Sequence, residues 1–217
     1  MSAPIVIAID GTSASGKSTN AKRIARELNF IYVDTGAMFR TLAWHCLRKK
    51  IDVHDAKAVA GALKKWKTEL KCVEGQVRLL VDGYYPEKEV RTAETSAAVP
   101  HVAAIPKVRD WMKAAQRDCV KFGNLVMEGR DIGSHIFPET PFKFYLDASL
   151  AERSKRRIAD GVSEDLAARD QRDSQRAAAP LGVALGAMVI NNSGQTPEET
   201  SGIIIKAVKT QLASGGA

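Results

Sequence analysis

Gly11-Thr12-Ser13-Ala14-Ser15-Gly16-Lys17-Ser18 follows the apolar run Ile5-Val6-Ile7-Ala8-Ile9 and opens a segment with helical periodicity. It has the G-x-x-x-x-G-K-[ST] spacing of a phosphate-binding loop. The two glycines let the backbone curl closely round an anion, with the loop N–H groups turned inward. Lys17 is placed to reach the terminal phosphates of a nucleoside triphosphate, and the Ser18 hydroxyl to ligate Mg²⁺. A helix beginning near Lys17 adds the positive end of its dipole to the same place. A chance Gly/Ser turn would not carry this order of strand, loop and helix.

Outward from the loop, the chain alternates strand and helix signals. Residues 5–9 are β-branched and apolar without alternation, as in a strand covered on both faces. Ala21, Ile24, Ala25 and Leu28 recur at i, i+3, i+4 and i+7, one apolar helix face, and Asn29 ends that helix. Residues 30–33 read as a second strand, with Asp34 or Thr35 capping the next helix. Further helix is expected over residues 56–65. From Trp66 the period becomes two, predicting strands over 66–72, 77–82 and 87–91, a small antiparallel sheet inserted into the chain. Helix returns near 94–98 and over 106–122, and residues 124–128, 142–146 and 187–190 complete the strand set. Ser149-Leu150-Ala151-Glu152 and Thr196-Pro197-Glu198-Glu199 are helix-start signatures. A basic helix follows the first, and a charged helix over 164–176 follows a loop containing Gly161. The expected fold is α/β: a doubly wound five-stranded parallel sheet with ligands gathered at the carboxyl ends of its strands.

Composition sets the wider bounds. The 217 residues are 45% hydrophobic and 26% charged, values of an ordinary globular domain. No run approaches the about 18 apolar residues of a membrane span. Met1-Ser2-Ala3-Pro4 leads straight into the first strand, so no signal peptide and a cytoplasmic location are expected. Cys46, Cys72 and Cys119 are scattered and lack metal-ligand spacing, reading as reduced structural thiols. A formal charge of +7 calls for an anionic partner. Only 6% of residues are aromatic and none interleaves with a basic stretch, which argues against single-stranded nucleic acid.

The larger motif set narrows the reading. The loop with its flanks (residues 9–19), Asp34-Thr35-Gly36-Ala37-Met38-Phe39-Arg40 and Glu128-Gly129-Arg130-Asp131-Ile132-Gly133 resemble the bacterial cytidylate kinases. So do Phe144-Tyr145-Leu146-Asp147-Ala148-Ser149 and the stretch from Arg169 to Leu181, in the same order along the chain. This resemblance to a family of P-loop nucleoside-monophosphate kinases covers residues 5–208. It implies transfer of the ATP γ-phosphoryl group to CMP or dCMP in pyrimidine nucleotide metabolism. It also implies one domain over residues 1–217, with an inserted monophosphate-binding region at about 38–104 and a short helical lid at about 152–173.

The resemblance also distributes roles. Gly11, Thr12, Ser13, Ala14, Ser15, Gly16, Lys17, Ser18 and Thr19 bind ATP, with Arg153 and Arg157 on the donor side and Ser18 on Mg²⁺. Thr35, Arg40, Arg109, Arg130, Asp131, Arg169 and Asp173 bind CMP. Lys17, Arg130, Arg169 and Arg176 surround the transferring group. Asp131 suits cytosine, because a carboxylate accepts from its exocyclic amine and repels the carbonyl of uracil. The bland alternative for Asp131 is neutralisation of Arg130 within a turn. Arg169, Arg172, Asp173 and Arg176 fall at i, i+3, i+4 and i+7, which predicts one shared helix face. The expected partners are small nucleotides, with no nucleic acid, no membrane and a monomeric chain.

Four positions depart from the family pattern. Pro100 stands where a base-contacting serine is usual, and the candidates to replace that hydroxyl are Arg109 with Asp131, His101 or a water. Phe39 replaces a tyrosine, residues 157–169 form a shorter segment than in many relatives, and Asn191-Asn192-Ser193 replaces an Asp-Thr/Ser run on the donor side. Two other readings stay open from the sequence: a kinase of this fold for another acceptor, and a nucleotide-dependent RNA binder using the basic helices.

Overall fold

Strand β1 (Val6–Gly11) is buried at all six positions. Parallel neighbours flank it on both edges, β5 (Leu125–Glu128) and β6 (Phe142–Asp147). This explains the missing alternation, since both faces of such a strand are covered. The computed structural model describes residues 3–159, 165–175 and 179–214. The Gly161 loop and Arg176 lie outside the described residues.

Two units divide the chain. The first comprises Met1–Tyr32 with Gly123–Ala217, and the second is Val33–Phe122. The first holds Ile31 and Tyr32, the opening residues of β2 (Ile31–Asp34), and there Ile31 N–H donates to Asn124 O, just before β5, at 2.8 Å. The strand order continues β5-β1-β6 and ends with β7 (Met188–Asn191), parallel to β6. The chain thus winds away from β1 in both directions, which places the loop after β1 at the switch point of a doubly wound sheet.

Helix α1 (Lys17–Leu28) buries Ala21, Ile24 and Ala25, the face expected from their spacing. Asn29 ends it in the left-handed conformation, with the Phe30 N–H returning to Ala25 O at 2.8 Å. These side chains join Ile7, Ile9, Val126, Phe144 and Leu146 of the sheet in one core. Ile204, Ile205 and Val208 of the last helix, α8 (Pro197–Ser214), complete it. The start of α8 is a complete capping box. Thr196 N–H donates to Glu199 Oε2 at 2.8 Å and Glu199 N–H to Thr196 Oγ1 at 3.2 Å.

The second unit opens with α2 (Thr35–Arg48), capped by Asp34 rather than Thr35 through a 2.7 Å bond from Ala37 N–H. After α3 (Ala56–Leu63), β3 (Thr68–Val73) and β4 (Gln76–Val81) form the expected antiparallel hairpin. Its two turn residues, Glu74 and Gly75, both have positive φ, the geometry that matches strand twist. The third expected strand is absent: Glu89–Arg91 is a 3₁₀ turn. Pro86 has no N–H for a ladder, and its carbonyl instead accepts from Val90 N–H at 3.0 Å. Helices α4 (Ala93–Ala104) and α5 (Pro106–Asp118) follow. His45 and Cys46 of α2 are fully buried, and the Trp66 ring meets His45 edge-on at 4.7 Å. Burial pushes the thiols of Cys46 and Cys119 up to about 11 and about 12, so both are inert at neutral pH.

After β5 comes a π-helical turn, Ile132–Ile136. Following β6, α6 (Leu150–Ala159) and α7 (Leu166–Ser174) carry the charged sequence. Only half of the capping box expected before α6 forms: Glu152 N–H donates to Ser149 Oγ at 3.3 Å, but Ser149 N–H is taken by Ser193 Oγ.

The docking of α8 on the sheet gives a direct stability test. Ile204→Ala removes a fully buried side chain away from the loop and should cost about 2–5 kcal/mol in urea unfolding. Turnover per folded molecule should stay unchanged.

Candidate active site

The phosphate loop is shaped by what its neighbours allow. Gly11 has φ +149°, and a Cβ there would fall 2.0 Å from the Leu146 carbonyl oxygen of β6. Only glycine fits so close to a neighbouring strand. Gly16, at φ 85° and ψ 15°, turns the chain into α1. Between them the loop is tied by side chains from outside it. Thr12 Oγ1 donates to Asp147 Oδ1 (2.9 Å), Arg153 Nη1 to Ser13 O (3.1 Å) and Asn192 Nδ2 to Ser15 O (2.8 Å). Arg156 in turn grips Asn192, with bonds to its Oδ1 (3.2 Å) and carbonyl (3.0 Å). Ser13 N–H donates to Asp170 Oδ1 at 2.9 Å, and the other oxygen of Asp170 pairs with Arg153.

Lys17, at the first position of α1, is buried and its Nζ donates to Thr12 O at 2.5 Å. Its pKa is lowered to about 7, chiefly by burial and then by the positive charges of Arg130 and Arg169, against the opposing pull of Glu128 and Asp10. Ser18 and Thr19 are exposed on the first turn of α1. A single hard hydroxyl oxygen there suits Mg²⁺, which binds through one or two protein ligands plus substrate phosphates. Among the described residues no group of three or more His, Cys, Asp and Glu could hold a metal ion.

The turn after β5 supplies the next group. Arg130 Nε lies 2.9 Å from Asp173 Oδ2 of α7, and Arg130 Nη1 donates to Gly11 O. Asp173 is thus one acid that pairs with Arg130. Asp131 is buried. Glu128, also buried, accepts from Tyr32 Oη at 2.6 Å. Asp10 accepts from the N–H groups of Ile132 and Gly133, and burial, then the nearby Asp131 charge, holds its pKa up at about 6 against those two bonds and Lys17.

On α7 the expected common face holds for Asp173, buried, and Arg169, half-buried. Arg172, at the edge of that face, is exposed, and its Nε donates to Ala168 O at 3.2 Å. Arg176 lies outside the described residues. Arg153 is buried with its donors on Ala148 O, Ser13 O and Asp170, and Arg157 is half-buried on α6.

Thr35, Arg40 and Arg109 belong to the second unit. Arg40 Nη2 reaches back to Asp34 Oδ2 at 3.0 Å, over the start of α2. Gly36 makes room for it: a Cβ there would stand 3.0 Å from Arg40 Nη1. Thr35 is buried beside them. The Arg109 guanidinium lies 5.8 Å above the Phe39 ring, and its Nη1 reaches Ala103 O at 3.5 Å. Phe39 thus contributes a π face where a hydroxyl is usual. Pro100 lies inside α4, and the neighbouring His101 ring meets His54 at 4.0 Å between centroids, tilted by 51°.

Sequence reasoning missed Asp10, Asp147, Arg156, Asp170 and Asn192. Asp147 and Asp170 lie inside the quoted motifs, but their partners are 135 and 157 residues away.

The pattern of the cytidylate kinase family matches residues 7–210. The chain belongs to the cytidylate kinase family. A cytidylate kinase of Geobacillus sp. (strain WCH70) is 39% identical over 96% of this chain and 98% of its own length. One from Anoxybacillus flavithermus is 38% identical over 98% and 99%. Among solved structures, an uncharacterized protein from Eubacterium ventriosum aligns at a TM-score of 0.50 over 94% of this chain and 98% of its own. At 13% identity that likeness concerns the fold alone.

For this cytidylate kinase family member the lowered Lys17 pKa has a measurable consequence. A lysine of pKa about 7 is largely neutral at higher pH and must take up a proton to bind phosphate. Titration calorimetry with ATP should show uptake approaching about one proton between about pH 7.5 and 9.5, with affinity falling up to about tenfold per pH unit. The uptake should vanish in Lys17→Arg.

Proposed function

We propose that the protein transfers the γ-phosphoryl group of ATP to CMP or dCMP, giving ADP and CDP or dCDP by in-line displacement. The observation that carries the reading is the buried Lys17 beside the Arg130–Asp173 pair, at the carboxyl ends of β1 and β5, in a chain of the cytidylate kinase family. Phosphoryl transfer leaves little covalent work to side chains and asks for positioning and charge neutralisation. Residues 11–19 hold the ATP phosphates through backbone N–H groups and Lys17. Arg153 and Arg157 bring positive charge to the donor side. Ser18 would hold Mg²⁺, whose charge would offset that of the phosphates.

Arg40, Arg130 and Arg169 bind the monophosphate through their planar forks. Asp173, with two carboxylate oxygens, serves Arg130 and the ribose hydroxyls. Asp131 reads the cytosine amine, Arg109 the ring carbonyl and nitrogen, and Thr35 joins them in binding CMP. Arg176 approaches the transferring group. One domain with a monophosphate-binding insertion at about 38–104 and a lid at about 152–173 suits these roles. We further propose a cytoplasmic monomer that engages neither nucleic acid nor membrane. No helix among the described residues is long and apolar enough to cross a bilayer.

A coupled assay of ADP release with CMP, dCMP, UMP, dTMP and AMP tests the reading. CMP and dCMP should turn over, and a folded protein inactive on both would overturn it. Asp131→Asn should lower the preference for CMP over UMP by about tenfold or more. An unchanged preference would point to another acceptor or another base reader.

A further inference from the structure

We propose that Asp10 is a positioning residue for base recognition, its carboxylate fixing the backbone that aims Asp131. The inference rests on the base-reading role given to Asp131 above.

Asp10 stands one residue before the end of β1, and Glu128, the last residue of β5, lies opposite Ile9. Beyond that point the two strands part. Gly129 N–H still donates to Ile9 O at 3.0 Å, and the chain then leaves the sheet through Arg130 and Asp131. Asp10 spans the gap. Its Oδ1 accepts from Ile132 N–H and its Oδ2 from Gly133 N–H, each at 2.8 Å. These are the first two N–H groups of the π-helical turn, which a helix start leaves without internal partners.

The residue at the cap position of that turn is Asp131, a type that ordinarily satisfies such groups with its own side chain. Here it does not: the Asp131 carboxylate makes no capping bond. Its carbonyl oxygen accepts from His135 N–H (2.9 Å) and Ile136 N–H (3.2 Å), while Asp10 holds the two amides that follow it. Capping is thus delegated to another strand, and the Asp131 side chain is left to a different task on a backbone pinned from both sides.

Two converging N–H groups also explain why a carboxylate serves here and an amide would not. Asparagine offers one acceptor oxygen and would turn its NH₂ toward the second N–H. The charged groups facing Asp10 are Asp131 and Lys17. Loss of the Asp10 charge therefore also reaches the ATP side through Lys17, but such an effect lowers turnover of every acceptor alike and cancels in a ratio of acceptors.

The test compares kcat/KM for CMP and UMP in the parent, Asp10→Asn, Asp131→Asn and the double variant. Asp10→Asn should lower the CMP-over-UMP ratio by about tenfold, mainly through the KM for CMP. In the Asp131→Asn background the same change should move the ratio less than about twofold, because the two residues act in series. Equal losses on both acceptors, with the ratio kept, would make Asp10 merely structural and overturn the inference. An equal drop of the ratio in both backgrounds would overturn it as well. If Asp131→Asn alone leaves the ratio unmoved, the base-reading role itself falls and the inference with it. Should Asp10→Asn not fold, Asp10→Glu keeps two acceptor oxygens but displaces them by a methylene, and its ratio should fall in the same way.

Discussion

A loop that presents its N–H groups to an anion cannot also satisfy its carbonyls by regular secondary structure. That constraint organises the first unit of this molecule. Gly11 O is taken by Arg130, Thr12 O by Ser15 and Lys17, Ser13 O by Arg153, and Ser15 O by Asn192. Each anchor comes from the end of a strand, from a helix packed beside it, or from the loop and its own helix. The carboxyl ends of β5, β6 and β7 therefore converge on the end of β1 for a reason of hydrogen-bond accounting. Gly11, unable to carry even a Cβ against Leu146 O, is the tightest point of that convergence.

Concentrating charges around such a loop in a poorly hydrated interior shifts their protonation. Lys17, crowded by arginines and cut off from water, becomes easier to deprotonate. Asp10, buried beside another acid, becomes easier to protonate. Opposed shifts of neighbouring groups are what sites of reaction show when electrostatics is arranged for a bound charge. Arg130 with Asp173 and Arg153 with Asp170 form compensated pairs, in which each arginine holds a carboxylate and a loop carbonyl at once.

The chain's departures from the family pattern have local physical consequences. Phe39 offers its ring to Arg109. Pro100 removes one internal bond of α4 without ending the helix. Asn192 uses both ends of its amide, donating to the loop at Ser15 O and accepting from Arg156, so an apparent loss of hydroxyl chemistry is a gain of loop anchorage.

Much of this was legible in the residues alone. Buried strands betray themselves by unbroken β-branched runs, helix starts by local caps, and the phosphate loop by a spacing whose chemistry is contained in eight residues. The misses follow from the same logic. The expected strand at 87–91 failed because Pro86 supplies a turn acceptor and no ladder donor. The sequence by itself determined the sheet, the loop and the family, since each is specified by neighbours along the chain. Only the tertiary structure decided that Asp10 caps the turn after β5, and that Asp147, Asp170 and Asn192 hold the loop. Those bonds join residues more than a hundred positions apart, and no local pattern records which distant partner satisfies a buried polar group.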